Sequence, residues 1–483
     1  GKKKTITNSD RYYITYGGTN ISDLKFCWDK GPIQEPKDNY SAVVIYWDLL
    51  QKDTTITTNI RNVEADGGRY CSFFMKQHKS AIQPQLRTIN VVEHCTFTNF
   101  TRGAIWACGG EGTISDCRFQ NIGYETTTAL LSVYPLRLGY SDKVGAKGKA
   151  VGYTVSDCTF SNMVASFNSE NDGRELHGLL AYGDSIIVKN NQFQTLSTSF
   201  SKPTDTGMDS EILYIKGSYN TIENNYFENG AGSSSDAVVT LKVGQTEGNV
   251  VRENRFLMSS TNGKFIYIAG RNHFVEDNVF HSTYAAQKET DAHAIYLKHQ
   301  AEVSGFESIV IRNNTFSFSD NSNYTAIYAN SWGNLTLIGN TFDNPYRLLK
   351  CNKREGIVHI QKNRIRLEGI RGNVNDSFIL ISSSDGQTVT IEDNTFVITN
   401  AEIGRLVTGS NYRFAGNQIS LKSSSIESFL RGADTHIEAS DNVITSDDDT
   451  KISRMAIVGE KRSSKIQIER NQIVGRSIRE NLE

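Results

Sequence analysis

One short phrase recurs along most of this chain and limits what it can fold into. It runs: an apolar or β-branched residue, two polar residues, Asn, any residue, then Phe or Ile. The Asn and apolar positions fall at Asn191/Phe193, Asn225/Phe227, Asn254/Phe256, Asn278/Phe280, Asn314/Phe316 and Asn340/Phe342, and continue to Asn471/Ile473. Nearer the start of the chain Cys takes the Asn place, at Cys95/Phe97, Cys117/Phe119 and Cys158/Phe160. The intervals run from 22 residues (Cys95 to Cys117) to 41 (Cys117 to Cys158), within the period range of solenoids.

Around each phrase lie short runs that alternate apolar and polar residues, such as TIENNYF and HFVEDNVF, separated by turn residues. Long helical periodicity is missing. One such coil cannot bury its apolar side alone, whereas coils stacked about 4.8 Å apart can. The expected fold is all-β: a single-domain right-handed parallel β-helix, a solenoid with long loops on one face. The Phe and Ile residues stack into an inner column. The Asn residues form an amide ladder at a bend, satisfying backbone groups that a sharp turn leaves free. Cys95, Cys117 and Cys158 read as small buried thiols in the same column. Residues 1–90 read as irregular N-terminal coils, 91–474 as regular coils and 475–483 as a polar tail. The long intervals between residues 120 and 210 read as loops that wall a cleft.

Composition narrows the partners. Across 483 residues the formal net charge is −2, which lacks the basic field of a nucleic-acid binder. No apolar run reaches the ~18 residues needed to span a bilayer. GKKKTITNSD has a basic start with no apolar stretch after it, so no secretory signal is visible. Seven Cys with no CxxC pair argue against both a disulfide framework and zinc.

The stretch Asp209–Phe256 carries the chemistry-bearing groups. Lys216 and Lys242 end two successive strands, and Tyr267 follows on the next coil. Counted back from the Asn corners, Lys242 falls one position earlier in register than Lys216. Asp209 and Glu211 precede Lys216 and are hard oxygen donors of the kind calcium takes. Tyr214, Tyr267, Tyr296 and Tyr328 recur at one strand place, as a stacking platform for sugar rings or as a plain surface ladder. Glu175 and His177 lie in a long loop beside the cleft, and Arg271 and His273 follow Tyr267; these four are candidates for substrate contact. Exposed strands often carry Lys and Glu simply because they are solvated, so spacing alone leaves an active site and a decorated face both open.

Glu211-x-x-x-x-Lys216, the Asn225-x-Phe227 corner, a basic residue before Gly244, and Ile266-x-Ile268-x-Gly270 with another corner together resemble the chondroitinase B and alginate lyase family of polysaccharide lyases. The resemblance covers residues 170–285. It implies a parallel β-helix that cleaves uronate-containing polysaccharides by β-elimination, with Lys216 as base. It implies calcium near the substrate carboxylate, held by residues at the places of Asp209 and Glu211. Where the family carries Arg-His-Gly, this chain reads Lys242-Val243-Gly244. A cation at the carboxylate, calcium or Lys242, stabilises the charge that proton removal creates. The base must be neutral, and a lysine near a second cation and partly out of water titrates closer to working pH. Tyr267 or Tyr214 is the candidate donor to the leaving oxygen.

The expected function is therefore a polysaccharide lyase acting on an acidic polysaccharide, monomeric and extracellular or periplasmic. The alternatives are a phage tailspike-type depolymerase, a homotrimeric glycoside hydrolase of the virion tail working with paired carboxylates, and a non-catalytic glycan-binding β-helix. Fold alone does not decide among them.

Overall fold

The computed structural model describes residues 4–8, 13–16, 18–28, 41–47, 55–68, 71–77, 87–100, 102–123, 133–139, 148–167, 176–200, 210–229, 238–259, 264–283, 292–299, 307–319, 323–330, 332–352, 356–370, 376–382, 388–432, 436–458 and 465–475. Among them there are strands and no helices. No helix is therefore long and apolar enough to cross a membrane. Two compact units make up the chain, residues 1–261 and 262–483.

The same coil of three strands repeats in both units. In the first unit one coil reads Leu176–Asp184, Ile187–Lys189 and Gln192–Phe200. The next reads Ser210–Lys216, Thr221–Glu223 and Tyr226–Asn229. Each strand pairs in parallel with its counterpart one coil on. In the second unit His293–Lys298, Ser308–Arg312 and Thr315–Phe318 pair likewise with Thr325–Asn330, Asn334–Ile338 and Thr341–Asp343. This is the parallel β-helix expected from the repeat. The described part of residues 1–90 follows the same order: Ser41–Trp47, Thr55–Arg61 and Glu64–Gly68, then Cys71–Gln77, Arg87–Glu93 and Thr96–Phe100.

The repeated phrase builds the third strand and the corner before it. In the first unit Phe97, Phe119, Phe160, Phe193, Phe227 and Phe256 occupy one register. Their rings stack at 4.6–5.3 Å with interplanar angles of 7–16°. Each is essentially fully buried, which contributes roughly 1.5–3 kcal/mol per ring relative to exposure. The Asn residues behave as expected. The Asn191 side chain donates to Asn225 Oδ1 at 3.0 Å, and Asn225 to Asn254 Oδ1 at 2.9 Å. The same oxygens accept the backbone N–H of Asn191 and Asn225. In the second unit the ladder runs from Asn278 through Asn314, Asn340, Asn363, Asn394, Asn417 and Asn442 to Asn471.

The three cysteines fill the Asn place, as read from the sequence. Cys95, Cys117 and Cys158 are buried, and each Sγ donates to a backbone carbonyl of its own corner and of a preceding strand. A hydrogen bond from Cys158 raises the Cys117 thiol far above its ordinary range, so it stays a thiol.

The residue just before each ladder position adopts the left-handed conformation. Asn190, Asn224 and Glu253 have φ of 58°, 52° and 56°, and Lys362 has 55°. Asn and Asp tolerate this region, whereas a Lys pays a steric penalty there of about 1 kcal/mol. Lys362→Gly is expected to stabilise the second unit by about 0.5–1 kcal/mol. The readout is an upward shift of the urea midpoint; an unchanged or lower midpoint would show that the corner tolerates Lys without strain.

Candidate functional site

The first strands of five successive coils in unit 1 form one continuous parallel sheet: Gly103–Ala107, Leu136–Leu138, Leu176–Asp184, Ser210–Lys216 and Val238–Glu247. Alternate residues face inward, and Ile105, Leu136, Leu179, Leu213 and Leu241 are fully buried. One outward row is then fixed by register: Trp106, Arg137, Leu180, Tyr214 and Lys242. Two residues further along, Tyr182 pairs with Lys216.

This row is aromatic and cationic. Leu180 lies buried among Trp106 and Tyr134, with Tyr182 and Tyr214 packed against them. The Arg137 guanidinium stands 5.2 Å from the Tyr134 ring, 5.6 Å from Trp106 and 6.0 Å from Tyr182. Arg102 covers Trp106 at 4.7 Å. Trp106 Nε1 donates to the Tyr134 carbonyl at 2.9 Å. Gly103 makes this approach possible, because a Cβ there would stand 2.4 Å from that same carbonyl oxygen.

Beside the row sits a buried carboxylate. The pairing of Leu176–Asp184 with Ser210–Lys216 omits Gly178 and Ile212. His177 and Glu211 make their contacts on the side of Tyr214 and Lys242. Lys242 Nζ lies 2.8 Å from Glu211 Oε1, and His177 Nδ1 lies 2.7 Å from Glu211 Oε2. Side-chain exposure is 0% for His177, 2% for Glu211 and 14% for Lys242. Burial by itself would raise the Glu211 carboxyl, but His177 and Lys242 outweigh it and hold that group below the usual carboxylate range. His177 stacks on Tyr134 at 5.5 Å and tilts against Tyr214 at 5.6 Å. Lys242 Nζ lies 4.6 Å from the Tyr214 ring centroid.

The sequence-derived candidates therefore separate into groups. Tyr214, Glu211, His177 and Lys242 touch one another on this face, and Lys216 stands in the adjacent row. Lys242 pairs with Tyr214, so it lies two positions ahead of Lys216 in register and not one. Five residues lie between Ile215 and Thr221 and six between Val243 and Val250, so that turn is one residue longer. An offset of two keeps both lysines on the outer side, where an offset of one would have turned one of them inward. The stem of Lys216 crosses Gly244, where a Cβ would come within 3.0 Å of its Cγ. Tyr267, Arg271 and His273 belong to the second unit. There Tyr267 packs on Tyr296, Arg271 is half-buried, and His273 is buried with Nε2 3.3 Å from the Ala269 carbonyl. Glu175 and Asp209 lie outside the described residues.

Sequence reasoning missed Trp106, Tyr134, Arg137 and Tyr182. The segment YPLRLG was read as part of a long loop, but Leu136–Leu138 is the first strand of its coil. Its register with the neighbouring strands was the signal available.

Calcium fits the described donors poorly. Both Glu211 oxygens already have close partners, Lys242 Nζ at one and His177 Nδ1 at the other, and a divalent ion there would stand against Lys242. Among the described residues no group of three or more His, Cys, Asp or Glu is arranged to hold a metal ion.

Over residues 142–342 the sequence matches the family described as a right handed beta helix region. No curated relative matches it. Among solved structures, PfbA, a surface adhesin of Streptococcus pneumoniae, is similar at 15% identity, with 67% of this chain and 84% of that one covered and a TM-score of 0.35. A mutant tailspike protein of E. coli bacteriophage HK620 in complex with pentasaccharide is similar at 14% identity, covering 96% and 74%, TM-score 0.37. A hyperthermoactive exopolygalacturonase from Thermotoga maritima is similar at 11% identity, covering 87% and 84%, TM-score 0.22. With the hand given by the family match, the fold is a right-handed parallel β-helix.

Proposed function

We propose that the Trp106–Lys242 face binds an acidic, uronate-bearing polysaccharide and cleaves it by β-elimination, with Lys216 as base. The observation that carries this reading is the outward row itself: aromatic rings and cationic groups on four of five successive coils, with Leu180 buried between them and Lys216 in the next row. Rings of this kind pack on the apolar faces of sugars, and Arg and Lys meet carboxylates. In the proposed step Lys216 takes the proton from the carbon beside the carboxylate. The C–H electrons form the new carbon–carbon double bond, and the bond to the leaving oxygen breaks. Tyr214 gives that oxygen a proton and regains one from the Lys216 ammonium. Lys242, fixed against Glu211, faces the carboxylate and stabilises its developing charge. No oxidant, water or cofactor enters the balance.

The test is ultraviolet detection of unsaturated uronate ends on a panel of uronate polymers. Lys216→Ala is expected to lower kcat by about 10²–10⁴-fold with polymer affinity little changed. Turnover is expected to persist in chelator, because this reading gives the neutralising role to Lys242. Absence of product from every polymer, with and without calcium, overturns the lyase reading. A second reading, glycan binding without turnover, is favoured by the engagement of Lys242 with Glu211. It predicts saturable binding of the same polymers and no product.

A further inference from the structure

The second unit carries another outward row on its first-strand sheet. Register places Tyr267, Tyr296, Tyr328 and Lys350 side by side on four successive coils. The Tyr267 and Tyr296 rings are 5.4 Å apart, and Tyr296 and Tyr328 are 5.2 Å apart. All three rings are partly exposed. Buried His293 supports them from the side, stacked on Tyr296 at 5.7 Å and edge-on to Tyr328 at 4.8 Å. The row ends where Lys350 pairs with Leu380.

Packing alone would be served by Phe or Leu at these positions, but here the hydroxyls are held by amides. Asn330 Nδ2 donates to the Tyr296 hydroxyl and Asn352 Nδ2 to the Tyr328 hydroxyl, each at 3.0 Å. Asn352 also reaches Asn330 Oδ1 at 3.3 Å. A phenol that accepts from an amide keeps its own hydrogen to donate. Burial raises the Tyr296 hydroxyl above its ordinary range, which keeps that hydrogen in place.

Two described lysines stand over these rings. Lys264 Nζ lies 5.6 Å from the Tyr296 ring and Lys350 Nζ 5.1 Å from the Tyr328 ring. Exposed Lys298 pairs with Asn330 in the adjacent outward row. The nearby acid Glu307 is fully buried against His299.

We propose that the Tyr267–Tyr296–Tyr328–Lys350 row is a second carbohydrate-binding face, which takes an acidic glycan laid along the coil stack. A chain running in that direction meets a fresh ring on each of three successive coils and a lysine on the fourth. Its ring faces pack on the tyrosines, its hydroxyls meet the Tyr and Asn groups, and its carboxylates meet Lys264 and Lys350. The proposal does not depend on the chemistry assigned to the first unit.

The experiment is calorimetric titration of the full chain with uronate oligosaccharides, in a Tyr214→Ala background that disables the first face. One site is expected to remain. Tyr296→Ala with Tyr328→Ala is expected to weaken it by about tenfold or more, while Tyr296→Phe with Tyr328→Phe keeps binding within a few-fold. Carboxyl-reduced oligosaccharides are expected to bind at least several-fold more weakly, and added salt to weaken the acidic ligand selectively. A urea midpoint of the double Ala variant close to that of its background shows that binding, and not the fold, is what was lost. No binding in the Tyr214→Ala background overturns the proposal. So does equal affinity in the double Ala variant, or equal affinity for the acidic and carboxyl-reduced ligands. None of these results bears on turnover by Lys216, so the two assignments fail separately.

Discussion

Replacing Asn340 with leucine is expected to cost the second unit about 4 kcal/mol, because several buried groups lose their partners together. Asn340 Oδ1 accepts from the backbone N–H of Asn314 at 2.9 Å and from its side-chain amide at 3.0 Å. Asn340 Nδ2 donates to the Ile311 carbonyl at 2.8 Å and to Asn363 Oδ1 at 3.0 Å. Leucine has similar bulk and none of these functions, so the change removes polar satisfaction with little change in packing. The check is urea unfolding, read as a fall in midpoint. The same substitution at both Asn340 and Asn363 is expected to cost clearly less than the sum of the two, since they share bonds. Additive costs, or a loss below about 1 kcal/mol, would show that the ladder is not a cooperative element.

The second large effect concerns Glu211. Glu211→Ala is expected to destabilise the first unit by about 3 kcal/mol near neutral pH, the scale of breaking a buried ion pair. It leaves Lys242 and buried His177 beside an empty space where a carboxylate stood. The pH dependence has a definite sign. The folded carboxyl titrates below its ordinary range, so folding is favoured by its ionised form. That contribution is complete above the unfolded value of about 4.3 and disappears as pH falls through the folded value. Wild-type protein is therefore expected to lose stability on acidification more steeply than Glu211→Gln. Urea midpoints taken at a series of pH values between neutral and acid give the comparison, and parallel curves would remove Glu211 from any linkage role.

The corner was legible because everything that defines it lies within a few residues. The left-handed residue, the ladder Asn and the inward Phe are neighbours in sequence, and the pattern repeats many times. Even the replacement of Asn by Cys95, Cys117 and Cys158 could be read, since a thiol can donate to the same carbonyls. The candidate site was less legible because its members meet across coils of unequal length. Trp106 and Arg137 are 31 residues apart (106 to 137), and Arg137 and Leu180 are 43 apart (137 to 180), yet they are lateral neighbours. Leu136–Leu138 is only three residues long, too short for alternation to mark it as a strand. Lys242 was misplaced by one position because its coil takes up an added residue between Val243 and Val250. The contacts of Glu211 with His177 and Lys242 join three successive coils, and no local pattern announces them.

That added residue has a consequence for engineering. It changes the phase of the first strand relative to the corner, while Asn225 still donates to Asn254 and Phe227 still stacks on Phe256. The corner thus acts as a mechanical clutch between the inner scaffold and the outer surface. A designer can lengthen the arc ahead of a corner and slide a new set of side chains into the neighbouring coil's row without recutting the interior. Faces with different ligand preferences become interchangeable parts on one stack.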